Sequence, residues 1–117
     1  MRVSDLIREI EQAGYRIVTD GSDIIVGDAG QRLPDEYAEQ LRVHKPQVLT
    51  WLIYRQLVKK ARALAHRIDD EGRCEEIADY ERVVNNLVAT ERVLANWGFT
   101  AEETAELVRA VFPGTDG

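Results

Sequence analysis

The chain has 117 residues, of which 44% are hydrophobic and 31% charged, enough for one ordinary globular core or a small domain with a helical appendage. Its net charge is −6, and residues 61–117 account for all of it: they hold six Lys/Arg and twelve Asp/Glu, against nine of each in residues 1–60. This acidity disfavours nucleic-acid binding, and the sequence has neither a secretory signal pattern nor an apolar run long enough to cross a bilayer.

Few residues offer chemistry for a metal site or for catalysis. Cys74 is the only cysteine, which excludes an internal disulfide and is typical of a cytoplasmic protein. Together with His44 and His66 it gives no metal-ligand spacing, so we expect neither a metal nor another cofactor. Carboxylate clusters such as Asp69-Asp70-Glu71 are explained by helix ends and solubility, and no nucleophile–base pair or phosphate loop is evident. We therefore expect that the protein is not an enzyme.

The first predicted element is a helix. Ser4 is a suitable N-cap with Asp5 in the first turn, and apolar residues follow at helical spacing. Gly14 is expected to end this helix, because a helix commonly stops at a glycine that adopts a positive φ.

A β-hairpin is predicted over residues 14–27. Gly21-Ser22 fits a two-residue type II′ turn, which needs glycine at its first central position. Counting outward from this turn gives the pairs Asp20–Asp23, Thr19–Ile24, Val18–Ile25 and Ile17–Val26. Because paired residues share a face, one side should be apolar and rest on helices, with Tyr15, Ile17, Ile24 and Val26. The other side, with Arg16, Val18 and Ile25, and both hairpin edges would then either be covered by the C-terminal helices or be open to a partner peptide.

Four helices are predicted after the hairpin. A short helix runs from about Pro34 to Val43, and a long one from Pro46 to about Asp69. A third, from about Arg73 to Asn96, carries a stripe that pairs it antiparallel with the long helix: Ile77, Tyr80, Val84, Leu87 and Leu94. Thr100 and Glu103 form a capping box for a last helix that ends at Pro113-Gly114. The predicted fold class is α+β, with an αββα module over residues 1–58 and an acidic helical extension over 59–117 that shares the long helix 46–69.

The order of the first elements resembles a known family. A helix, a hairpin, a Pro-initiated helix and the stretch Leu41-Arg-Val-His-Lys-Pro-Gln-Val-Leu49 are similar to the N-terminal docking domain of TubC-type megasynthetases. The resemblance covers residues 1–55 and includes Leu6, Ile10, Gly14, Tyr15, Ile17, Gly21, Ile24, Val26, Leu33, Pro34, Leu41, His44, Lys45, Leu49 and Leu52. It implies an αββα interaction module that often dimerises and takes a partner's peptide tail along its hairpin. No synthetase domain follows these residues, so assembly-line function is not implied.

Seven residues are candidates for partner binding. Trp51 and Tyr54 lie off the main apolar stripe of the long helix and widen it beyond what one neighbour needs, so they are expected to be interface anchors, whereas Trp97 is expected in the core. Arg16, Val18 and Ile25 occupy the outward side of the hairpin. Arg42 and Lys45, with Lys59 and Lys60, are basic residues that could receive an acidic tail.

The sequence favours a cytoplasmic protein–protein interaction module. We expect a docking or adaptor role, in a homodimer, through the hairpin and the long helix, with no nucleic-acid or membrane partner. The alternative is an accessory protein of a phage or mobile element whose acidic helices inhibit a nucleic-acid-handling complex of the host. Gene neighbourhood would separate these two hypotheses.

Overall fold

A computed structural model describes residues 2–27 and 33–111, and it contains two strands and five α-helices. In chain order these are α1 (Val3–Gln12), β1 (Arg16–Thr19), β2 (Ile24–Gly27), α2 (Asp35–Val43), α3 (Lys45–Glu71), α4 (Ile77–Asn96) and α5 (Ala101–Val111). A 3-10 turn, Cys74–Glu76, precedes α4. The small α+β class expected from the sequence is confirmed, while the predicted helix end at Pro113-Gly114 lies outside the described residues.

The chain divides into two compact units, Met1–Ile53 and Tyr54–Gly117. The division falls inside α3, whose 27 residues extend over about 40 Å at 1.5 Å per residue. Each unit has buried apolar residues of its own, and the two are described separately below.

Helix α1 starts earlier than its sequence indicates. The amide of Leu6 donates to the carbonyl of Arg2 at 3.0 Å, so Arg2 is the N-cap and the predicted N-cap, Ser4, lies buried inside the first turn. The predicted stop is confirmed. Gly14 has a φ of 100°, and the amides of Gly14 and Tyr15 donate to the carbonyls of Glu11 and Ile10, which is a Schellman termination.

The first unit is held together by apolar residues from α1, the hairpin, α2 and the start of α3. Helix α1 contacts β1. The buried apolar side chains are Leu6, Ile7, Ile10, Tyr15, Ile17, Leu41, Val48, Trp51 and Leu52. A lone hairpin is marginal in water, so this helical layer explains why a sheet of two four-residue strands is stable here.

In the second unit α3 and α4 pair antiparallel. The Tyr54 hydroxyl donates to Glu91 at 2.7 Å, and Arg67 donates to Glu76 at 2.7 Å. Between these two bonds lies an apolar cluster of Ala61, Leu64 and Val83, against which three further side chains pack: Leu57, Tyr80 and Leu87. Between these two bonds residue numbers rise along α3 as they fall along α4, so the two helices run in opposite directions.

The buried stripe of α4 differs from the predicted one in two residues. Val83 is buried in the cluster, whereas Val84 is only half-buried and Ile77 is 41% exposed at the first residue of the helix. Adjacent valines leave the sequence ambiguous, because steps of three and of four residues both approximate a helical turn. The predicted start of this helix, at about Arg73, is also too early, because the 3-10 turn Cys74–Glu76 precedes the first residue of α4, Ile77.

The segment between α4 and α5 confirms one prediction and corrects another. Thr100 and Glu103 form the reciprocal capping box: the amide of Thr100 donates to Glu103 at 3.2 Å, and the amide of Glu103 donates to the Thr100 hydroxyl at 3.2 Å. Trp97, expected in the core, is 44% exposed, because it is the C-cap of α4 and Gly98 at once reverses the chain. The residue that follows the reversal, Phe99, is the less exposed of the two aromatics.

Candidate interaction surface

The predicted hairpin register is confirmed. The structure pairs Ile17 with Val26, Val18 with Ile25 and Thr19 with Ile24, and one further pair joins Arg16 and Gly27. The strands end one pair before the turn, so the predicted Asp20–Asp23 pair is absent from the ladder. Side chains explain this difference: the carbonyl of Asp23 accepts from the Thr19 hydroxyl at 2.7 Å, and its amide donates to Asp20 at 2.9 Å.

Side-chain hydrogen bonds fix the turn. Asp20 Oδ1 accepts from the amides of Ser22 and Asp23, each at 2.9 Å, and the Thr19 hydroxyl accepts from the amide of Gly21 at 3.0 Å. Gly21 has a φ of 101°, the sign that the predicted turn requires. The backbone amides of Asp23 and Ser22, in that order of effect, lower the pKa of Asp20 because they stabilise its carboxylate.

The predicted difference in burial between the two sides of the hairpin is clear in β1 and weaker in β2: Tyr15 and Ile17 are buried, but Ile24 and Val26 are only half-buried, like Val18 on the outer side. On the inner side, Ile17 is fully buried and Thr19 is buried with it. On the outer side, Ile25 is 46% exposed, Val18 is half-buried and Arg16 is exposed. We name these three residues, with Gly27, the outer hairpin face.

Gly27 belongs to the outer hairpin face although the sequence analysis did not select it. A Cβ placed there would lie 3.4 Å from the Cβ of its pairing partner, Arg16. The Arg16 side chain therefore stands beside a position with no side chain of its own. Extending the register count by one pair would have identified this gap from the sequence.

The sheet consists of β1 and β2 only, within the part of the chain that the structure describes. Each strand therefore has one side on which no described strand forms a ladder with it. Such an edge presents backbone donors and acceptors that another extended chain can use. The outer hairpin face lies directly beside both edges.

Two of the four cations expected to receive an acidic tail, Arg42 and Lys45, already have partners. Lys45, the first residue of α3, donates to Asp23 at 3.0 Å and so ties the hairpin turn to that helix. Arg42 donates to Glu39, one helical turn earlier, also at 3.0 Å. Both pairs are solvent-exposed, so each can be exchanged for a partner carboxylate at little cost.

Trp51 and Tyr54 do not form the exposed apolar surface for which they were selected. Trp51 is 6% and Tyr54 1% exposed, so neither can anchor a partner without rearrangement of the chain. Helical periodicity gives the direction of a side chain but not the number of neighbours that cover it, which is why the sequence analysis misplaced both. Burial and the hydrogen bond to Glu91 raise the pKa of Tyr54 above its ordinary value.

Residues 2–27 and 33–111 contain neither a cluster of metal-ligating side chains nor a helix suited to the membrane interior. No three His, Cys, Asp or Glu side chains lie together there in a way that could hold a metal ion. No helix in the same residues has both the length and the apolar character needed to cross a membrane.

Comparisons with known proteins add no relative: no family model, no curated protein and no solved structure matches the chain. The candidate surface therefore has to be interpreted from its own geometry.

Proposed function

We propose that the protein is an interaction module that binds an extended segment of a partner protein along its β-hairpin. The observation that carries this proposal is the outer hairpin face, where an exposed isoleucine, a half-buried valine and an arginine lie beside strand edges along which no further described strand runs. The resemblance of residues 1–55 to a docking-domain family supports the same function.

The geometry limits the partner segment. Each strand has four residues and is about 13 Å long at 3.3 Å per residue, so a docked segment pairs over a similar length. Main-chain hydrogen bonds over so few residues give limited affinity, and the exposed apolar area of Val18 and Ile25 is needed to supplement them. Arg16 forms no ion pair with a described residue and favours a carboxylate on the segment.

The test begins by trapping the partner. A photo-crosslinking amino acid in place of Ile25 is introduced into the protein in its own cells, with the same label at Val88, an equally exposed apolar position on α4, as the matched control. A segment that crosslinks only from position 25 is then synthesised and titrated into labelled protein. We expect saturable amide shifts confined to residues 16–19 and 24–27, together with interstrand contacts from one hairpin edge.

Substitutions separate binding from folding. The double variant Val18→Thr/Ile25→Thr keeps β-branched side chains, so its stability should change by less than about 1 kcal/mol while segment binding falls at least tenfold. On the inner side, Ile17→Thr should instead cost on the order of 2–4 kcal/mol of stability, because it buries a hydroxyl and removes core volume. Unchanged binding by the double variant would refute the proposal.

Self-association is a separate part of the proposal. Trp51 and Tyr54 give no support to a homodimer, because both side chains are buried within a single copy of the chain. The remaining basis is that an open strand edge can pair with its own copy about a two-fold axis. Sedimentation should then show a dimer that the Val18→Thr/Ile25→Thr variant weakens, and a monomer throughout would exclude it.

A further inference from the structure

A cationic cleft lies in the second unit, among residues that the interaction proposal does not use. It has a volume of about 310 Å³ and is lined by Lys59, Arg62, Ala63 and His66 of α3 and by Val111 of α5. The α3 residues lie at spacings of three, one and three, so they share one side of that helix. Lys59 and His66 are about 10 Å apart along the axis, seven residues at 1.5 Å each.

The sequence around the cleft is unusual for an acidic unit. Residues 54–68 contain five Lys/Arg and no Asp/Glu, although residues 61–117 as a whole hold twice as many acids as bases. Elsewhere in the segment, Arg67 is already paired with Glu76. Lys59 and Arg62 form no ion pair or hydrogen bond with a described residue, and no carboxylate is among the described residues that line the cleft.

His66 is held in place from outside the cleft. Its Nδ1 lies 2.6 Å from a carboxylate oxygen of Asp70, one helical turn further along α3. Such a carboxylate fixes the ring orientation and leaves Nε2 as the nitrogen available to a ligand. Ala63 and Val111 give the same cleft an apolar part.

We propose that this cleft binds a small organic oxyanion, a phosphate monoester or carboxylate attached to an apolar group. Arg62 offers a planar fork of donors for two anionic oxygens, and Lys59 adds a mobile point charge. The volume is at the lower end of the range for small-molecule sites, so the ligand is about the size of one ring bearing one anionic group. This inference is independent of the hairpin proposal, since it uses no residue of the first unit.

Phenyl phosphate, benzoate and inorganic phosphate are suitable probes. Titrations of labelled protein followed by NMR should show saturable shifts at Ala63, His66 and Val111 with both organic probes. Phenyl phosphate should bind roughly tenfold more tightly than inorganic phosphate, because only the ester has an apolar group to bury against Ala63 and Val111. Equal affinity for the two phosphates, or shifts that do not saturate, would overturn the proposal.

The chain supplies a matched control for charge. Lys59→Gln and Arg62→Gln should each weaken phenyl phosphate binding about tenfold, the usual size of a lost charge-assisted hydrogen bond. Lys60→Gln removes the same charge from the next residue of α3, which is exposed but does not line the cleft, and should leave affinity within twofold. An equal loss of phenyl phosphate affinity with Lys60→Gln would show a non-specific effect of net charge and would overturn the proposal. Tighter binding of a single-stranded oligonucleotide than of phenyl phosphate at the same residues would refute a small-molecule site.

Discussion

At the scale of single residues, Asp20 links the pH dependence of stability to the hairpin turn. Its folded pKa is lowered, by the amides of Asp23 first and Ser22 second, below the ordinary value of 3.8. A lowered folded pKa contributes stability above pH 3.8 that is lost as the pH falls through the folded pKa. Asp20→Asn keeps the oxygen acceptor and removes the titration. In thermal melts between about pH 2 and 6, the variant should therefore lose less stability in acid than the parent.

The control for this measurement is Ser22→Ala, which changes the same turn but keeps the Ser22 amide that donates to Asp20 and alters no titratable group. The pH dependence of its stability should follow that of the parent protein. If Asp20→Asn also followed the parent, the two backbone amides would not stabilise the Asp20 carboxylate in solution.

Tyr54 makes the corresponding prediction at alkaline pH. Burial first and the Glu91 hydrogen bond second raise its folded pKa above the ordinary value of 10.0. A raised folded pKa gives stability that is fully present below pH 10 and is lost as the pH rises further, because the unfolded tyrosine ionises first. Tyr54→Phe should cost about 1 kcal/mol at neutral pH, with Glu91 left exposed to water, and should flatten the loss above pH 10.

Glu91→Gln separates the two causes of this effect. The variant leaves Tyr54 buried with an uncharged acceptor. Its loss of stability above pH 10 should therefore be smaller than that of the parent and larger than that of Tyr54→Phe. If Tyr54→Phe lost as much stability above pH 10 as the parent, groups other than Tyr54 would account for the whole loss.

At the scale of elements, the capping box at the start of α5 is the feature most open to measurement. Thr100→Ala removes the hydroxyl that accepts from the Glu103 amide and should cost about 1 kcal/mol, since capping residues contribute roughly 0.5–2 kcal/mol. Thr104→Ala in the same helix is the control, because its hydroxyl donates only to a backbone carbonyl, that of Ala101, at 3.0 Å. Thermal melts and amide exchange in α5 should distinguish the two, and equal losses would contradict the assigned role of the cap.

Local signals predicted the elements well. Gly21 fixed the hairpin turn, and through it the register and the inner face, because side chains alternate strictly along a strand. Gly14 and the Thr100–Glu103 pair likewise marked helix boundaries through chemistry that acts within a few residues. The start of α1 was misplaced because Arg2 caps that helix without a side-chain bond, which gives no signal in the sequence.

Features that depend on distant neighbours were predicted less well. Trp51, Tyr54 and Trp97 have the residue types of interface anchors or core, and only tertiary packing decides which of them is covered. The choice of Val83 over Val84 for the core has the same origin, because only the position of the packing neighbour decides between adjacent valines. Within the candidate surface, the outer hairpin face could be predicted from the register alone. The ion pair between Lys45 and Asp23 could not, because it joins residues 22 positions apart and no local sequence pattern indicates it.

At the scale of the whole molecule, charge is distributed more finely than a division into halves suggests. The unit Tyr54–Gly117 contains nine Lys/Arg and twelve Asp/Glu, yet two of its cations line a cleft in which no lining residue that the structure describes is a carboxylate. A small anion entering the cleft would lie beside these two cations, with the Asp70 carboxylate 2.6 Å from the His66 ring. A polyanion that extends beyond the cleft meets the acids of the surrounding surface as well.

This difference predicts that the protein does not bind nucleic acid, although two cations line one of its clefts. The net charge of −6 opposes association with a phosphate backbone, and one cleft can release few counterions. Fluorescence anisotropy with labelled duplex and single-stranded DNA should show no binding at roughly 10 µM protein in about 150 mM salt. Binding of phenyl phosphate to the same protein sample, measured by NMR, serves as the positive control. Binding of DNA that weakens steeply with added salt, and is lost in Lys59→Gln/Arg62→Gln, would mean that the cations of α3 outweigh the acidic surface around them.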